Sequence, residues 1–167
     1  MADSWKSFLE EHASLRAGLE RLRSVADGVG RADRAALRAE VESVYRFLSH
    51  RLLPHIAVEE RVLYPAMARL DGFGAAARIM SRDHAEVADV ARELADLRQK
   101  LERAAFGTAE ATELRRVLYG LYELLKVHMA NEEEVCLPAL DQALSDGQVR
   151  ALSEGIELFE LAEQAAE

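Results

Sequence analysis

An eleven-residue pattern occurs twice in this chain, and its recurrence limits what the chain can fold into. His55-Ile56-Ala57-Val58-Glu59-Glu60-Arg61-Val62-Leu63-Tyr64-Pro65 returns 73 positions later as His128-Met129-Ala130-Asn131-Glu132-Glu133-Glu134-Val135-Cys136-Leu137-Pro138. Both copies read His-x-x-x-Glu-Glu-x-x-x-x-Pro. A His and a Glu four apart on a helix share one face, one turn apart. One such pair arises easily in an acidic helix; two in matched contexts point to a duplicated structural unit.

The surroundings of both copies are helical. Three prolines and nine glycines leave long stretches rich in Ala, Leu, Glu and Arg, all good helix formers except at breakers. No stretch alternates with period two, so no sheet is expected. The first helix is predicted over 4–26, with Trp5, Phe8, His12, Leu15, Leu19, Leu22 and Val25 along one stripe. Asp27-Gly28-Val29-Gly30 ends it, and Asp33 can cap the second helix. That helix is predicted to run to Tyr64, its stripe carrying Val41, Val44, Leu48, Leu52, His55, Glu59 and Val62. Pro54 predicts a kink or bulge within it. The third helix is predicted over 75–104, with Met80, His84, Val87, Ala91, Leu94 and Leu101 inward. Phe106-Gly107 stops it and Thr108 can cap the fourth. The fourth carries Leu114, Val117, Leu121, Leu125, His128, Glu132 and Val135 inward, to Pro138 and on to about 144. Ser145-Asp146-Gly147-Gln148 matches a capping box and predicts a short fifth helix with a polar tail.

Each half also holds an early histidine. His12 precedes His55 by 43 residues and His84 precedes His128 by 44. Short connections make consecutive helices antiparallel neighbours. An early position on one helix and a late one on the next then reach the same height. His84 and His128 each lie about 20 residues from the 105–108 turn, roughly 30 Å. Four His and two Glu are therefore expected at one level inside an all-α, up-down-up-down four-helix bundle. The expected division is 1–144 for the bundle and 145–167 for the C-terminal helix and tail.

Two carboxylates in an apolar core must be protonated, paired or metal-bound. No Lys or Arg falls on the inward stripe at that level. Metal ions satisfy all six groups together, and imidazole with carboxylate suits first-row transition metals such as iron. Two ions fit better than one, with each Glu bridging and each ion taking two His. A structural zinc site would favour four tetrahedral ligands rich in Cys.

The order His, His-x-x-x-Glu, His, His-x-x-x-Glu, with Glu-Glu-x-x-x-x-Pro in each paired motif, resembles the hemerythrin-like (HHE cation-binding) family over residues from about 4 to 144. The resemblance implies a four-helix bundle around a non-haem centre of two iron ions per chain, oxo- or hydroxo-bridged. By motif, the implied ligands are His12, His55, Glu59, His84, His128 and Glu132. Oxygen-carrying members have another His one turn after the third-helix His, where this chain has Ala88. They also have Asp five residues after the last His, where this chain has Glu133. The resemblance therefore implies chemistry with small oxidants such as hydrogen peroxide, nitric oxide or other nitrogen oxides, in oxidative or nitrosative stress. The alternative is reversible oxygen or nitric oxide binding as a carrier or sensor. Catalase-like or peroxidase-like turnover fits the first.

Glu60, Glu133 and Glu134 read as solvated face, although Glu133 can replace Glu132 if the helix bulges. Tyr45, Tyr64, Tyr119 and Tyr122 fall off the ideal inward stripe, and a kink at Pro54 or Pro65 can still turn one inward. His50 points roughly 140° from His55 and reads as surface or supporting. Trp5 and Phe8 share the His12 face and can cover the site.

Net charge is −9 with a pI near 5.1. That disfavours nucleic acid and anionic membranes as partners, since both recruit clustered Lys and Arg. No apolar run approaches the roughly 20 residues that span a bilayer. Met1-Ala2-Asp3-Ser4-Trp5-Lys6 lacks a basic-then-apolar leader pattern. With one cysteine, Cys136, no intrachain disulfide can form, and a cytoplasmic location is expected. The expected partners are a small diatomic or peroxide ligand and a redox partner that the residues do not identify.

Overall fold

A computed structural model of the chain describes the backbone of residues 5–103 and 106–165, with side chains through residue 159. Five helices make up the fold: α1 (Lys6–Gly28), α2 (34–68), α3 (Gly74–Leu101), α4 (108–143) and α5 (Asp146–Ala165). Among the described residues there is no strand. The expected helix limits Ser4 and Ala104, and the end of the polar tail at 166–167, lie outside the described residues. The fifth helix is longer than expected, at 20 residues.

The helix ends follow local chemistry. Asp33 caps α2, its side chain accepting from the Ala36 amide at 2.9 Å. Gly107 rather than Thr108 is the N-cap of α4, and Glu110 reaches back to accept from the Gly107 amide at 2.9 Å. Gln148 takes the Ser145 amide at 3.0 Å, the backward half of the expected capping box.

α1 packs against α2 and α4, and α3 packs against the same two helices. The end of α1 meets the start of α4 through the Arg115 guanidinium and the Val29 carbonyl. The start of α2 meets the end of α3, where Arg34 donates to the Leu101 carbonyl at 2.9 Å. These contacts gather four helix ends at one pole. Gly18 lets α1 and α2 approach closely, because a β-carbon there would collide with the Phe47 ring.

The helices α2 and α4 contain π turns, at Leu48–Leu52, Glu59–Leu63 and Glu132–Cys136. Each ends two residues before a proline. The Leu53 amide bonds the Leu48 carbonyl, Tyr64 bonds Glu59, and Leu137 bonds Glu132. A proline has no N–H and its ring presses on the carbonyl four residues back, so one residue is accommodated in an i→i−5 turn. The bulge expected at Pro54 is therefore present, and Pro65 and Pro138 produce the same response.

The bulges move the inward register by one residue in both copies of the motif. Val62 was expected inward, yet Leu63 is the buried residue. Val135 was expected inward and is 60% exposed, while Cys136 is buried.

Two apolar clusters form the interior. One runs from Leu15 and Leu52 through Leu94 and Leu118 toward the pole of gathered helix ends. The other contains Trp5, Phe8, Leu63, Met67, Met80, Leu137 and the α5 residues Val149 and Ile156. α5 lies across the middle of α2 and also touches α1. Among the described residues no helix is long and apolar enough to cross a membrane.

A candidate metal centre

A buried polar layer separates the two clusters. His12, His55, Glu59, His84, His128 and Glu132 are all buried. α1 supplies His12, α2 supplies His55 and Glu59, α3 supplies His84, and α4 supplies His128 and Glu132. All six residues expected at one level are brought together.

The imidazoles form two pairs. His12 and His55 approach through their Nε2 atoms at 3.1 Å, and His84 and His128 through theirs at 2.9 Å. Glu59 lies between the pairs, its Oε1 2.9 Å from His55 Nε2 and its Oε2 3.2 Å from His84 Nε2. Glu132 lies between them also, its Oε2 3.4 Å from His12 Nε2 and 3.6 Å from His128 Nε2.

These separations suit metal coordination. Donors about 2.1 Å from one ion and at right angles to each other lie about 3.0 Å apart. Two sets of donor atoms converge closely enough to hold an ion: His12, His55 and Glu59, and Glu59, His84 and His128. Glu59 belongs to both.

Electrostatics distinguishes the two carboxylates. Burial pushes Glu59 up, but its attraction to His55 and its close contacts with the His12, His55 and His84 rings outweigh it and hold Glu59 well below the usual carboxylate range. Burial, the Glu59 charge and Glu133 hold Glu132 well above that range, against the hydrogen bond from Tyr64. Two neighbouring buried carboxylates resist ionising together. Burial and the neighbouring His84 push His128 down to about 4. Burial, with Glu132 and Glu59 nearby, pushes the Cys136 thiol up to about 11. Cys136 therefore belongs to the core rather than to the donor set.

Tyr64 joins the layer as a seventh polar group. Its hydroxyl donates to Glu132 Oε1 at 2.6 Å and lies 3.4 Å from His84 Nε2 and 3.3 Å from His128 Nε2. Burial and the charges of Glu59 and Glu132 raise its pKa. Tyr64 sits five residues after Glu59, which an ideal α-helix turns away and a π turn returns to the same side. The repeated Pro six residues after each Glu was the available signal. The other tyrosines serve elsewhere: Tyr45 lies under Arg98, Tyr119 bonds Asp27, and Tyr122 bonds Glu20. His50 is exposed.

The outer nitrogens of three imidazoles face carboxylates. His12 Nδ1 donates to Glu133 Oε1 at 2.9 Å, and His84 Nδ1 to Glu60 Oε1 at 2.8 Å. Asp83 lies 3.5 Å from His128 Nδ1. Glu60 and Glu133 are thus half-buried supports, contrary to their expected solvated role, whereas Glu134 is exposed as expected.

Phe8 closes the His12–His55 side, its ring 4.4 Å from His12 and 5.7 Å from His55. A groove of about 450 Å³ lies between α2 and α3 and is lined by Glu60, Tyr64, Pro65, Ala77 and Ser81 among others, so that Tyr64 stands between it and the layer.

Helical packing around a buried layer of imidazoles and carboxylates able to hold metal defines a cation-binding helical bundle. The Hemerythrin HHE cation binding domain matches residues 3–140, and the chain belongs to that family. No curated protein and no solved structure matches it.

Proposed function

We propose that this chain is a di-iron protein that reacts with small oxidants, namely hydrogen peroxide, nitric oxide or other nitrogen oxides, in oxidative or nitrosative stress. In this reading α1 to α4 form an up-down-up-down bundle over 1–144, with 145–167 as its C-terminal helix and tail. His12 and His55 would hold one iron and His84 and His128 the other, with Glu59 and Glu132 as the carboxylates available to both. The observation that carries the reading is Glu59, whose two oxygens face opposite histidine pairs at 2.9 and 3.2 Å. Iron is favoured because the donor set mixes imidazole with carboxylate and exceeds the four ligands of a structural zinc site.

Bound iron would supply redox chemistry and open coordination positions. The chain's own groups make the two sides unequal. Phe8 excludes water beside His12 and His55. Tyr64 keeps a proton on its hydroxyl beside His84 and His128 and also lines the α2–α3 groove. Ala88, one turn beyond His84, has no donor atom with which to fill a further position. These features favour turnover over oxygen carriage.

Rapid mixing of the iron-loaded protein tests the choice. Oxidised protein should consume peroxide or a nitrogen oxide, and reduced protein should form no long-lived oxygen adduct. A stable, reversible oxygen adduct without peroxide or nitrogen-oxide consumption would reverse it.

A further inference from the structure

The second Glu of each motif has a partner in the opposite half of the chain. Glu60, on α2, reaches α3, where its Oε1 accepts from His84 Nδ1 at 2.8 Å and its Oε2 accepts from Ser81 Oγ at 2.9 Å. Glu133, on α4, reaches α1, where its Oε1 accepts from His12 Nδ1 at 2.9 Å and its Oε2 from the Arg16 guanidinium at 2.5 Å. Each carboxylate therefore spans one turn of a helix from the other half. Both follow directly on the Glu at which a π turn begins.

We propose that Glu60 and Glu133 are positioning residues that lock His84 and His12 across the two halves, each imidazole carrying its proton on Nδ1 and presenting the Nε2 lone pair inward. This proposal rests on the metal-binding reading for its purpose. Its geometric basis lies in the chain alone.

With neutral rings, the outer carboxylates also set how the inner nitrogens pair. With His84 protonated on Nδ1, its Nε2 is an acceptor, so His128 Nε2 supplies the proton for their 2.9 Å contact. With His12 protonated on Nδ1, His55 Nε2 supplies the proton at 3.1 Å. The two early histidines are thus set by charged partners, and the two late ones follow from them. A carboxylate on the outer imidazole nitrogen fixes the ring's orientation and raises its basicity toward a metal. The supports are themselves fixed, since Ser81 and Arg16 occupy their second oxygens. Crossing between halves also links the paired helices α1–α2 to α3–α4 at the height of the metal centre.

The test uses two readouts on the full chain. In the metal-free protein at pH 8, long-range proton–nitrogen NMR should place the ring proton of His12 and His84 on Nδ1. Glu133→Leu should change the tautomer of His12, and Glu60→Leu that of His84. Titration with Co²⁺ should show that each Leu variant weakens binding by about 10- to 100-fold. Gln at either position still offers a carbonyl acceptor and should lose less. Glu134→Leu, at an exposed neighbour, should leave Co²⁺ affinity unchanged. Thermal unfolding of the metal-free variants separates positioning from a general loss of fold. If a Leu variant does not fold, the wild-type tautomers and the Gln variant remain decisive. Protons on Nε2 of His12 and His84, or unchanged Co²⁺ affinity in both Leu variants, would overturn the proposal. Failure of the wild type to bind Co²⁺ would instead remove the metal-binding reading, and the tautomers would still judge the brace.

Discussion

Replacing Tyr64 with Phe removes one oxygen from the buried layer and leaves the ring in place. That oxygen donates to Glu132 Oε1 at 2.6 Å, and Glu132 is fully buried. No water can take over a bond lost there without entering the packed interior. A hydrogen bond to a charged group contributes about 1.5–3 kcal/mol, and an orphaned buried acceptor loses on that order. Part of this is offset in the metal-free protein, because Glu132 holds its own proton well above the ordinary carboxylate range. The expected cost is therefore nearer 1–2 kcal/mol. For a chain of this length, about 2–4 °C of melting temperature accompanies each kcal/mol, so a fall of roughly 2–8 °C is expected. Calorimetry on the metal-free protein measures it. The same variant loaded with iron should show an altered visible spectrum, since the hydroxyl lies within 3.4 Å of both His84 Nε2 and His128 Nε2. An unchanged melting temperature together with an unchanged spectrum would refute the placement of Tyr64 in the site.

Other perturbations probe the neighbouring parts. Glu59→Gln and Glu132→Gln should each reduce iron content sharply, while Glu134→Gln should not, as measured by elemental analysis. Gly18→Ala should destabilise by about 1–2 kcal/mol, because crowding of Phe47 outweighs the helix propensity gained; chemical denaturation decides, and a gain in stability would contradict the close approach of α1 and α2. Burial and the Glu59 charge raise the Glu132 pKa in the metal-free protein, and a metal must displace that proton, so Co²⁺ affinity should rise with pH over the range in which Glu132 loses it. Calorimetric titration in buffers of different ionisation enthalpy should register proton release. Ala68→Phe, at the rim of the α2–α3 groove, should slow ligand entry in stopped flow without changing metal content.

The helices and the polar layer were legible because their signals are periodic. His12, His84, and the paired His55–Glu59 and His128–Glu132 each fall on an apolar stripe at helical spacing, and the chain buries all six. What periodicity could not supply was the local change of period. An ideal helix places Val62 and Val135 inward, whereas the π turns bury Leu63, Tyr64 and Cys136 instead. The prolines at 65 and 138 signalled a disturbance without specifying its direction. Glu60 and Glu133 escape periodicity for another reason. On their own helices they point away from the paired His, but their partners lie on α3 and α1. Local spacing contains no record of a contact 121 residues away in sequence. The fifth helix was recognisable at its start, where Ser145 and Gln148 pair, but its length depended on packing across α2.

The most direct measurement is iron stoichiometry by anaerobic titration with Fe²⁺, followed by elemental analysis of the separated protein. Wild type should saturate at two iron ions per chain, and the double variant His84→Ala, His128→Ala should lose the ion held by that pair. Saturation of the wild type at one ion or fewer, or full iron occupancy in the double variant, would contradict a di-iron centre built from these residues.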